Sequence, residues 1–131
     1  MKHIYPYLLV GLGGFLGANA RFIVARISGA IFGVSFPYGT LIINVTGSFA
    51  LGILVTLIGQ RLIPHAHDLR LAIAIGFLGS YTTFSTLEYE SHSQFESGSW
   101  MLGMANLFGS LFLGLIAVRI GILLVTHSST P

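Results

Sequence analysis

The sequence contains no cysteine. Disulfides, thiolate metal sites and cysteine nucleophiles are therefore excluded. Charge is nearly as scarce: 8% of residues are charged, against about 25% in a soluble globular protein. Six Lys/Arg and four Asp/Glu are too few to build a basic face, and nucleic-acid binding needs clustered Lys and Arg. No Asp or Glu precedes Asp68, so the first half of the chain has no carboxylate for proton coupling.

Apolar residues fill the gap. They make up 53% of the chain, and the mean hydropathy of +0.84 places it in a membrane. At 131 residues one domain is expected. A spanning helix needs about 20 mostly apolar residues. Four stretches qualify, at about 5–27, 38–58, 69–87 and 100–125. The third has a polar helical extension through Glu96. The links between them are short, which leaves no room for a soluble domain and puts both termini on one side. The fold class expected is an all-α membrane protein of four transmembrane helices. Near the N-terminus, Lys2 and Ala18-Asn19-Ala20 mimic a cleavable leader. The apolar stretch continues through Phe22-Ile23-Val24-Ala25, which argues against cleavage.

Lys2, Arg61 and Arg70 fall on the terminal side, with Arg119 nearest to it. Arg26 falls on the other side, and Arg21 is about a turn deeper. The margin is a few charges, so orientation is weakly specified. Charge counting alone favours a cytoplasmic terminal side, and insertion both ways up, as an antiparallel homodimer, stays open.

The segment at 76–86, GFLGSYTTFST, carries small and hydroxyl residues where a spanning helix normally has leucine. Such a stretch predicts an interrupted helix, tolerated in a membrane only inside protein or beside a polar cavity. Its carbonyls, at Gly79 and Thr82 for example, are of the kind that hold a structural cation. Phe84 packs, or turns its electropositive ring edge to an anion. Asn44 in the second stretch is either an interhelical hydrogen bond or an amide donor to an anion. Asn106, Ser110 and Gly114 share one helical face; a polar track and a packing seam fit it equally. Arg21 either snorkels or attracts anions at a vestibule. Glu88 and Glu90 read either as interface solvation, the simpler reading, or as a gate. His65 and His67 are too small a cluster for zinc. The 17 glycines, with Gly13 and Gly17 in a GxxxG, predict tight helix packing and an oligomer. Enzyme chemistry finds no paired acid and base, no Ser-His-Asp set and no phosphate loop.

Three motifs, GGFLGANARF at 13–22, GTLIINVTGSF at 39–49 and GFLGSYTTFST at 76–86, together resemble the Fluc (CrcB) fluoride channels. The resemblance extends over all four stretches, in the family's order. It implies an antiparallel, dual-topology homodimer in the bacterial cytoplasmic membrane, with two fluoride pores. It also implies a central sodium ion on the backbone carbonyls of Gly79 and Thr82. On that pattern Asn44 donates to fluoride, Phe84 lines the pore, and Arg21 sits at the vestibule. Thr40 belongs to the same pathway, Asn106 and Ser110 to the polar track, and Glu90 matches the family's glutamate. The chain departs from the pattern at Leu87, where a second Phe is usual. It also departs at Asn106, Gly114 and Ser80, where Tyr, Ser and Gly occur in relatives. The activity implied is passive fluoride efflux, which limits fluoride toxicity. A non-conducting partner subunit in a heteromer is the alternative consistent with Leu87. A small proton-coupled multidrug transporter would need the early carboxylate that this chain lacks.

Overall fold

The computed structural model describes residues 3–128, so Lys2 of the charge count lies outside the described residues. All regular structure among them is helical. Helix α1 spans Tyr5–Phe32, opened by Pro6, whose missing N–H is no loss in a first turn. It runs five residues past its expected end at 27. It stops at Gly33, whose φ of 78° is a conformation side chains disfavour. Helix α2 spans Tyr38–Gly59 and begins just after Pro37. Helix α6 spans Trp100–Ser128. These three are long and apolar enough to cross a membrane, with mean hydropathies of 1.6, 2.2 and 2.3.

The third apolar stretch is built differently. It starts as α3, Ala66–Leu69, widens into a π-helical segment, Arg70–Leu78, and tightens again as α4, Gly79–Tyr81. Thr82 and Thr83 are extended, and α5 then runs over Phe84–Glu96. The expected interruption is therefore real and lies at Thr82-Thr83. No single helix in this stretch has a spanning length, because the break divides it. The polar helical extension expected through Glu96 is present, and only Ser97, Gly98 and Ser99 separate α5 from α6.

Backbone-to-backbone contact holds the bundle together. A Cβ on Gly13 or Gly17 would collide with the Ala72 or Phe77 carbonyl of the π segment. Helix α1 thus lies directly on that segment. Apolar side chains gain nothing by leaving lipid, so close approach at small residues supplies the packing energy. Helices α2 and α6 meet in the same way, through Gly52 and Gly121. The apolar core is correspondingly thin: Ile43, Leu54, Leu78, Leu87, Ala117 and Val125. Most large apolar side chains face outward. The expected polar seam on α6 is inward: Asn106, Ser110 and Gly114 are all buried.

Candidate ion pathway at the helix break

Thr82 and Thr83 leave the helical region at φ/ψ of −74°/157° and −148°/119°. Their own side chains stabilise the two helix ends this creates. The Thr82 hydroxyl donates back to the Leu78 carbonyl at 2.9 Å. Thr83 caps α5, its Oγ1 accepting from the Thr86 N–H at 3.3 Å.

Asn44 spans the break from α2. Its Oδ1 accepts the Thr83 N–H at 2.8 Å, and its Nδ2 donates to the Thr83 carbonyl at 3.0 Å. In a continuous α-helix that N–H would point to the carbonyl four residues back, on Gly79. Asn44 takes it instead, so the Gly79 carbonyl loses its helical partner. The extended Thr82 carbonyl lies outside both helical ladders. Two backbone oxygens at one break fit a hard cation, which prefers oxygen ligands. No group of three or more His, Cys, Asp or Glu that could hold a metal ion exists among the described residues.

An open groove of about 580 Å³ faces the break. Asn44, Ser48, Thr83, Phe84, Leu87 and Ser110 line it, with Gly79 and Thr82 on one wall. Among the described residues, no Lys, Arg, Asp or Glu lines it. Phe84 is 71% exposed on the single chain, whereas Leu87 is 6% exposed and turned inward. Ser110, 5% exposed, has no hydrogen-bond partner for its Oγ. Asn106, one turn away, is fully buried. Its Nδ2 donates to the Ser91 Oγ at 3.0 Å, and its Oδ1 has no protein partner. Two adjacent buried polar atoms left unpaired are uncommon. They point to water or a ligand along this face.

A second cavity of about 260 Å³ lies where α1, α2 and α5 meet. Ala25, Gly39, Thr40, Glu90 and Gln94 line it. Glu90 lies beyond the third stretch's expected end at 87. Glu90 faces the Thr40 hydroxyl within this cavity. Arg21 lines neither cavity within one chain and has no ion pair among the described residues.

The structure thus gathers Asn44, Phe84, Leu87, Ser110, Gly79 and Thr82 at one groove and Thr40 with Glu90 at another, with Asn106 between helices α5 and α6. Sequence reasoning did not single out Ser91, or Ser48, which faces Gly114 across the groove. Leu87 and Ser91 are four residues apart, and that spacing on one helical face was the available signal.

The sequence profile described as CrcB-like protein, Camphor Resistance (CrcB), matches residues 8–122. The chain belongs to the CrcB family. This CrcB chain is 45% identical over 118 residues to the fluoride-specific ion channel FluC of Solibacter usitatus, covering 90% of this chain and 96% of that one. It is 47% identical over 115 residues to the protein of the same name from Koribacter versatilis, with 88% and 90% covered. The corresponding Chloroflexus aurantiacus protein is 44% identical over 115 residues, again with 88% and 90% covered. The matched stretch of this CrcB protein contains the break, both cavities and the α2–α6 packing. With its three long apolar helices, this CrcB chain is a multi-pass membrane protein.

Proposed function

We propose that this CrcB protein is a fluoride-selective channel that lets fluoride leave the bacterial cytoplasm passively. It is a channel and not an enzyme, as the names of its relatives indicate. The observation that carries the reading is the groove at the break, which offers donors and no fixed charge.

Fluoride is small and strongly hydrated, so stripping its water in a low-dielectric pore is costly. The replacement must be distributed and weak enough to release the ion. The second N–H of Asn44, the Ser110 hydroxyl and the Phe84 ring edge meet that need. On this reading the ion enters past Arg21 and the cavity of Thr40 and Glu90. It then follows the face of Asn106 and Ser110 into the groove, with Leu87 as its aliphatic wall. Fluoride enters cells as the neutral acid and is trapped as the anion inside, so an always-available leak lowers its level.

The working unit is a dual-topology, antiparallel homodimer in the cytoplasmic membrane, each copy crossing four times. Its support is the weak charge bias and the open groove, which leaves Phe84 and Gly79 uncovered on a single chain. A second copy is the cover. Gly79 and Thr82 carbonyls from both copies would hold a sodium ion, which supplies a fixed positive charge between the two breaks. Surrounding lipid covers the remaining apolar surface.

Expressing the chain in a fluoride-sensitive bacterium without its own exporter tests the function. Growth in fluoride is expected to return. Growth that stays fluoride-sensitive with the protein in the membrane rejects the reading. Single-cysteine labelling from each side tests topology. Equal labelling from both sides is expected, and one-sided labelling contradicts the antiparallel dimer.

A further inference from the structure

We propose that Asn44 is the positioning residue that holds the break in the third stretch open, so that one side chain sets the cation site and the anion groove together. The inference rests on the fluoride-channel reading and on its central cation. It adds a role to Asn44 beyond that of an anion donor.

The argument begins with the two hydrogen bonds on Thr83. An Asn amide pairing with both the N–H and the carbonyl of one peptide group copies the pattern a neighbouring backbone would offer. Here the distances are 2.8 and 3.0 Å, with Thr83 buried and Asn44 half-buried. The pairing does what the helix no longer does at this residue. It satisfies the Thr83 N–H, which in hydrocarbon would otherwise be costly. It also competes directly with re-formation of the helix, since the same N–H would return to Gly79.

Rigid supports surround the clamp. Helix α2 carries Asn44, and one turn further on Gly47 lies against the Thr82 methyl group, with no room for a Cβ. Thr46 reaches the Tyr81 hydroxyl at 2.9 Å. Helix α2 therefore grips the last turn before the break and the first residue after it. The clamp leaves one Asn44 N–H unused, because the amide has two and Thr83 takes one. Asn44 lines the groove, so that remaining donor is held where an anion passes. Losing the clamp would disturb the Gly79 and Thr82 carbonyls and the groove donor at once.

Backbone amide exchange at Thr83 in the purified, sodium-loaded protein is the test, because it reads the clamp whether or not ions flow. Asn44→Ala is expected to speed Thr83 exchange about tenfold, the effect of losing one buried hydrogen bond. It is also expected to abolish the rise in melting temperature on exchanging a bulky organic cation for sodium. Asn44→Asp keeps the acceptor for the Thr83 N–H, so its Thr83 amide stays protected while fluoride flux is lost. That variant keeps the test decisive if Asn44→Ala does not fold. An Asn44→Ala protein with native Thr83 protection and native sodium stabilisation but no flux overturns the proposal and leaves Asn44 an anion donor only. An unprotected Thr83 amide in Asn44→Asp overturns it as well. Failure of the fluoride reading would show separately, as a wild-type protein with a protected Thr83 amide and no flux.

Discussion

The Asn106 amide donates to the Ser91 hydroxyl at 3.0 Å across the interface of α5 and α6. Asn106 is fully buried and Ser91 is 2% exposed. This contact ties the half of the third stretch beyond the break to the helix bearing the polar face.

Removing the hydroxyl with Ser91→Ala strands the amide without its partner. The expected loss is about 1–3 kcal/mol, the cost of an unsatisfied buried donor. Pairing it with Asn106→Leu removes both polar groups, so the double variant is expected to recover part of that loss. Reversible unfolding of the four proteins of this cycle checks it. A loss in the double variant equal to the sum of the two single losses would mean the pair is not coupled.

Leu87→Phe tests the aliphatic wall of the groove. Leu87 borders open space, so the larger ring is expected to fit and the protein to fold. A phenyl ring there would turn an electropositive edge to the anion in place of an aliphatic wall, and a rise in flux is expected. Fluoride flux from vesicles of both proteins decides. Unchanged flux would mean that Leu87 does not limit passage.

Gly17→Ala is expected to push α1 from the π segment, because its Cβ meets the Phe77 carbonyl. Overpacking of this kind costs about 1–3 kcal/mol. Gly11→Ala, on the same helix with nothing within 4 Å, is the control and is expected to be neutral. Melting temperatures of the two variants give the comparison.

Much of this was legible in the residues. GFLGSYTTFST announced a broken helix, because hydroxyls and glycines at that depth serve no purpose in plain lipid. The face of Asn106, Ser110 and Gly114 followed from helical spacing. The π segment was not legible: no residue pattern in 70–78 marks it, and it lies where Gly13 and Gly17 bring α1 against the Ala72 and Phe77 carbonyls. Nor did spacing show that Asn44 would meet Thr83, 39 residues away. Helix α1 ran longer than expected because nothing after 27 stops a helix until Gly33, at positive φ.

Fluoride efflux from liposomes that contain only this purified chain tests the central claim most directly. The account predicts rapid release of loaded fluoride, with chloride retained. Sealed vesicles around correctly folded, membrane-inserted dimer would contradict it.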